Sequence, residues 1–307
     1  ENLADHMMQF FLVSLDGKIV LPIHSFPYKG VKRESIQQYI NKIGSTLDEK
    51  ITISWISCDG DISNLDDALY YKQKENKILV FRDSDHLCKS GRNIILDNFI
   101  SWKDDPNVEF SLVSLTKLEQ KNDYVDEKIT LDLAEILKYH HTKVKSYDKL
   151  RMDPVKRVVS PKLINFLDKT FNQSTTIGKQ MKALSRYLKL LNAILYVWDY
   201  EESDESYFKN IEARINHIKD EVVMLQLSSN HSPFIKFSTS LVDNYEKLKK
   251  KNIVGFRPTL LVTRMVENYF STLKNFVDHP TIEEYVNVSV KALINFAKEH
   301  ANDLIFF

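Results

Sequence analysis

Cysteine is scarce in this chain: Cys58 and Cys88 are the only two among 307 residues. Each lies beside an apolar segment, which argues against a disulfide framework and suits a reducing compartment. No apolar run reaches the roughly 18 residues that a membrane helix needs, so no membrane partner is expected. Neither sign of charge is in excess, with 42 Lys and Arg against 42 Asp and Glu. That balance excludes a global field that would draw the protein to nucleic acid or lipid, and any DNA contact must come from local patches. Internal repeats and low-complexity segments are absent. The opening residues, Glu1-Asn2-Leu3-Ala4-Asp5, have neither a basic nor an apolar leader character, and are expected to be the inside of a longer polypeptide.

What is present is ample core material, 43% hydrophobic residues, in a chain longer than one core usually serves. Two domains, or one domain with a large insertion, are therefore expected. The most informative stretch runs from Ile51 to Asp61. Ile51, Ile53 and Trp55 alternate, Ile56 follows, and the run stops on Asp59-Gly60, the pattern of a mostly buried strand. Carboxylates at the carboxyl end of an open-sheet strand stand where α/β folds place their chemistry. An acidic turn that merely ends the strand fits the same residues, since Asp and Asn favour turns for local reasons. A calcium loop fits poorly, because the sixth position from Asp59 is Asn64 and the twelfth is Tyr70.

Before that stretch, Met7 to Ser14 and Lys18 to Phe26 read as strands around Leu15-Asp16-Gly17, a strong hairpin signal. Ile36, Tyr39, Ile40 and Ile43 predict a helix over 33–43, with Gly44 as its stop. After it, a helix over about 65–74 and a strand over 77–81 predict a right-handed βαβ unit. Asp83-Ser84-Asp85-His86 then opens another helix. This cluster could hold a divalent metal, but a helix cap is the favoured reading, with Asp85 as the capping residue. Lys89 and Arg92 on that helix predict a small, solvated basic face. Beyond residue 125 the pattern is helical, with no convincing strand and helices over 129–140, 155–171, 178–198, 205–225, 234–251, 259–276 and 281–300. Asp199 to Glu205 predicts a solvated acidic loop, and the adjacent His140 and His141 point apart, so they form no metal pair. Glu267 stands among Val266, Tyr269, Phe270 and Leu273. It either needs a partner or a metal, or lies on the helix flank in water.

In their order these pieces resemble the transposases of the P-element type and their THAP-domain relatives. Asn2 through Leu12 resembles the family's second sheet strand, and Leu21-Pro22-Ile23-His24-Ser25-Phe26 its third. Cys58-Asp59-Gly60 followed by Asn64 resembles the strand end that bears the second catalytic Asp. Asp85-His86-Leu87-Cys88-Lys89 with Arg92-Asn93 resembles the signature after the fifth strand. Met152 through Leu167 and Leu190 through Ser203 resemble the helical insertion. Val266-Glu267-Asn268-Tyr269-Phe270 resembles the leucine-glutamate-asparagine-phenylalanine helix, with His279-Pro280-Thr281 following at the family's distance.

The resemblance implies an α/β fold: an RNase H-like mixed sheet, incomplete at its N-terminal side, interrupted by a large all-α insertion. Residues 1–125 would carry the sheet, 126–232 the insertion, and 233–307 the helices that return to the core. It implies Asp59 and Glu267 as catalytic residues and as ligands to Mg2+, with their carboxyls within about 4–8 Å, since two metals can activate water or a 3′-hydroxyl at a phosphodiester. It also implies Trp198 and Asp199 as contacts to the guanine of GTP. The departures are specific: Glu202 replaces an expected Asn, Arg264 an expected Asp, and Met265 a small hydroxyl residue. The family's first ligand belongs on a strand that this chain does not contain. That strand would lie between the hairpin and the strand over 51–58. Those two are therefore expected not to pair, with the gap filled by upstream residues, a second copy or a protein partner. The expected function is a domesticated, DNA-binding derivative in the nucleus; the competing expectation is an active transposase core.

Overall fold

The computed structural model describes residues 6–14, 20–28, 33–47, 52–58, 70–73, 76–115, 152–199, 206–251 and 261, with short helical pieces between 272 and 295. The chain divides into two compact units, one of residues 1–83 and 247–307, the other of residues 84–246. Among the described residues no helix is long and apolar enough to cross a membrane.

In the first unit, β1 (His6–Val13) and β2 (Val20–Tyr28) pair antiparallel as a hairpin, with an irregularity between Phe10 and Phe11. The helix α1 (Arg33–Thr46) buries Ile36 and Ile40, one turn apart, which is why that spacing reads as helical. A second sheet contains β3 (Trp55–Cys58), β4 (Tyr70–Gln73) and β5 (Asn76–Arg82) in the order β3-β5-β4. β3 runs parallel to β5 and β4 antiparallel to it. Ile36, Ile40, Cys58, Ile78 and Val80 form the core, and Phe10, Ile53 and Ile56 pack on it.

Two expectations are corrected here. Residues 70–73 are strand, not the end of a helix over 65–74, whose earlier part lies outside the described residues. Tyr70-Tyr71 favour a pleated surface, and only two residues separate β4 from β5, which leaves room for an antiparallel hairpin and nothing longer. Nor does α1 stop at Gly44; it continues to Thr46. Gly44 serves a close approach, since a Cβ there would lie 3.3 Å from Gln73 Cγ. Gln37 completes this join by imitating a strand. Its amide donates to Lys72 O at 2.8 Å and its carbonyl accepts from Lys72 N at 3.0 Å, which covers the outer edge of β4. The hairpin β1–β2 and β3 stand in separate sheets, as expected, and β3 has β5 as its one strand neighbour among the described residues.

The second unit is built round one buried helix. Its elements are α2 (Ser84–Asp97), β6 (Ile100–Trp102), β7 (Asp105–Phe110), α3 (Met152–Val158), α4 (Pro161–Thr170), α5 (Thr176–Leu195), α6 (Ile211–Val222), β8 (Leu225–Gln226) and α7 (Ser232–Lys250, ending in the first unit). α5 buries Met181, Leu184, Tyr187, Leu188, Leu191 and Leu195, with further buried residues on its other faces near the C-terminal end. A helix this apolar on several sides must be enclosed. The strands of the order β7-β6-β8 pair antiparallel, a small sheet that the sequence reading missed. β8 is two residues long, too short for any alternation to show, and it corrects the expectation of no strand beyond residue 125. One helix over 155–171 is also corrected: Ser160 caps α4 by accepting from Leu163 N at 3.3 Å, and Pro161 begins it, so the chain breaks there. α6 begins at Ile211 rather than at 205, where Asn210 accepts from Ala213 N.

Trp102, Phe110 and Tyr187 join the small sheet to α5, with ring centroids 5.8–6.4 Å apart. Trp102 Nε1 donates to Ala183 O at 3.0 Å. Arg186 lies 4.1 Å over the Trp102 ring and bridges Asp104 and Glu221 at 2.8 and 2.6 Å. Tyr187 donates its hydroxyl to Gly91 O at 2.9 Å, where α2 crosses α5.

That crossing gives a first prediction. A Cβ at Gly91 would fall 2.4 Å from Leu191 Cδ2 and 2.8 Å from Phe234 Cε2. Overpacking of this kind costs about 1–3 kcal/mol, against about 1 kcal/mol gained in helix propensity. Gly91→Ala is expected to lower stability by up to about 2 kcal/mol in urea unfolding; a gain would show that the helices separate freely.

A second concerns acid. His217, on α6, stacks on Phe208 at 4.5 Å, and its Nε2 is buried without a hydrogen-bond partner. Burial, with the charges of Lys189 and Arg186 outweighing Asp220, pulls its pKa from 6.5 down to about 4. The unfolded chain therefore takes up this proton first. Stability from the neutral ring is complete above about pH 6.5 and falls as the pH drops towards about 4. Urea midpoints of the native protein should decline over that window more steeply than those of His217→Gln. Parallel curves would assign the acid sensitivity to other groups.

Candidate functional site

The parallel register of β3 and β5 sets Cys58 opposite Arg82, so both strands end at one edge. Asp83 N donates to Cys58 O at 3.0 Å, which closes that edge. Cys58 itself is buried, its thiol donating towards Phe81 O at 3.6 Å. The residue after Cys58 is Asp59, and it lies outside the described residues, as do Glu267, Arg264 and Glu202. The separation of Asp59 and Glu267 is thus not described. One contact bears on it nonetheless. Ser57 donates its hydroxyl to Leu261 O at 3.0 Å, across 204 positions of sequence. Leu261 is fully buried and stands six residues before Glu267. The chain therefore returns from the far end of the sequence to the strand end that precedes Asp59.

For Asp83-Ser84-Asp85-His86, the helix begins at Ser84, so Asp83 holds the position just before it and Asp85 lies within the first turn. A carboxylate in that first turn is favoured by the positive helix end. Both residues are buried, and His86 is half-buried. No group of three His, Cys, Asp or Glu residues among the described residues could hold a metal ion. The basic face expected at Lys89 and Arg92 is corrected. Arg92 is fully buried, and its guanidinium donates to Asn93 Oδ1 at 2.8 and 3.2 Å. An arginine whose planar head finds an acceptor can be enclosed in a core.

Trp198 and Asp199 follow the end of α5. Trp198 is 1% exposed, its ring 5.8 Å from that of Tyr245. Asp199 is half-buried, and its backbone carbonyl accepts from the Arg214 guanidinium. Arg214 is the residue that the sequence reading missed. It is fully buried, and it also donates to Ser206 Oγ and Phe208 O, each at 3.1 Å. Burial lowers its pKa, and the charge of Asp199 opposes that shift. The signal in the sequence was its place beside Ile215, Ile218 and Val222 on one helix, since a cation near an apolar stripe needs partners. Arg214 thus ties together the two ends of the acidic stretch. In this arrangement the indole of Trp198 is enclosed by the packing of the unit.

No protein-family model matches the chain, and no curated protein matches it in sequence. Among solved structures it is similar to a chain of the Drosophila P element transposase strand transfer complex, with a TM-score of 0.70 and 13% identity. The similarity covers 98% of this chain and 72% of the other. Over nearly its whole length, then, this mixed α/β chain shares the fold of a P-element-type transposase.

Proposed function

We propose that the chain is a transposase-derived DNA-binding protein, acting in the nucleus, with an RNase H-like core and a helical insertion. The single observation that carries this reading is the likeness of fold to a transposase that works on DNA strands, maintained over 98% of the chain. In this reading Asp59 and Glu267 are the carboxylates of the reaction centre, and carboxylates are the donor set that Mg2+ takes. A divalent pair held there would activate the attacking oxygen and stabilise the leaving one at a phosphodiester. The chain's own part is positional. β3 delivers its carboxyl end to the site, and the Ser57–Leu261 hydrogen bond holds the returning segment against β3.

Arg264 is the departure that weighs against turnover. It stands three residues before Glu267, where a cation competes with any metal for the same carboxylate. DNA binding is therefore proposed to survive and strand cleavage to be impaired. The Ser57–Leu261 contact favours the second reading, an active core, because it serves the same return of the chain that catalysis needs.

The two readings part in one assay. Full-length protein with duplex DNA should bind at low salt, in EDTA as well as in Mg2+ or Mn2+, and should leave the strands intact. Arg264→Asp should then strengthen the effect of Mg2+ on thermal stability, and Glu267→Gln should remove that gain. Metal-dependent nicking lost in Asp59→Asn would establish the active core instead. Failure to bind any duplex at low salt would refute both.

A further inference from the structure

The last turn of α7 carries Lys247, Lys249 and Lys250, and Lys251 follows directly. All four are exposed, while Leu248 among them is buried. One or two lysines at a helix C-terminus are explained by the macrodipole, which favours cations there. Four within five positions exceed that need. Lys247 stands three residues from Lys250, a spacing at which like charges on a helix repel, and Asp243 and Glu246 one turn earlier offset only part of the excess. Among the described residues no carboxylate lies within ion-pair distance of Lys247, Lys250 or Lys251. The chain as a whole has no net charge, so this is a local excess rather than part of a general basic surface.

We propose that this lysine cluster is a docking surface for the phosphate backbone of duplex DNA. It rests on the DNA-binding reading above and adds to it where the backbone is held. Charge complementarity selects the occupant. Lysine offers a point charge on a flexible stem, suited to phosphates along a duplex and unable to read base edges in a fixed geometry. Each phosphate so neutralised releases condensed counterions, and this is the quantity that an experiment can count.

The test is the salt dependence of binding of a mixed-sequence duplex to the full chain. The variant Lys247→Gln/Lys250→Gln/Lys251→Gln is compared with Lys156→Gln/Lys169→Gln/Lys179→Gln, which removes equal charge from exposed positions elsewhere. The first variant is expected to lose about tenfold or more in affinity at low salt, and its log–log slope against salt should become shallower by about 2–3. The second should change both far less, and both variants should melt like the native protein. Equal losses in the two variants, or an unchanged slope in the first, would overturn the docking surface while leaving DNA binding intact. No binding by the native chain would overturn the DNA-binding reading itself, and this surface with it.

Discussion

Two parallel strands cannot be joined by a tight turn, and much of the first unit follows from that constraint. β3 and β5 run side by side in the same direction, so the chain leaving Cys58 must travel before it can enter β5. It does so through β4, which lies on the far side of β5 and is separated from it by two residues of sequence. The carboxyl ends of β3 and β5 are then flush, joined by the Asp83–Cys58 hydrogen bond. Such an edge is where an open α/β sheet sends out its loops, and where groups distant in sequence can meet. Here the Ser57 hydroxyl fixes the Leu261 carbonyl to that end of β3.

The second unit answers a different demand. α5 is apolar on more than one face, and each polar group it encloses has to be met. Asn192 shows how: its amide donates to Val159 O at 2.9 Å, and its carbonyl accepts from Tyr207 N at 2.7 Å. Ser185 donates to Asp168 at 2.7 Å, and Lys189 pairs with the same carboxylate at 2.7 Å. Such pairings make burial of polar residues tolerable, since a buried group left unmet costs about 1–3 kcal/mol. They also fix α4 and the segment before α6 to one register along α5, which hydrophobic contact alone would leave loose.

How far the fold could be read depended on length and period. α1, α5 and α7 have long apolar stripes, and their approximate spans follow from the spacing of Ile, Leu and Val. The hairpin β1–β2 follows from two β-rich runs around Asp16-Gly17. β8 offered two residues, and β4 offered two tyrosines beside charged neighbours, so neither had a pattern long enough to outweigh helix. Gly44 and Gly91 were ambiguous for a physical reason. A glycine kept for close approach has the same letter as one kept for a helix stop, and only the neighbour across the gap tells them apart. Of the candidate site, Asp59 and Glu267 rest on an ordered resemblance of short motifs alone, and both lie outside the described residues. The Ser57–Leu261 bond was not legible, because a hydroxyl bonded to a backbone carbonyl across the chain leaves no spacing to detect.

Arg214 shows why a short motif can persist while its surroundings give it other work. A guanidinium stays charged even when desolvated, so its enclosure demands acceptors on several sides. The chain supplies two backbone carbonyls and a hydroxyl, from Asp199, Phe208 and Ser206. Neutral acceptors leave the cation's charge uncompensated, and the nearby Asp199 carboxylate offsets part of it. Trp198, immediately before, is drawn into the core against Tyr245, and the Tyr245 hydroxyl in turn donates to Glu212 at 3.1 Å. For a base to stack on that indole, the Trp198–Tyr245 contact would have to open while Arg214 kept or exchanged its acceptors. The aromatic-aspartate pair therefore has a sufficient reason to exist in the packing of this unit alone.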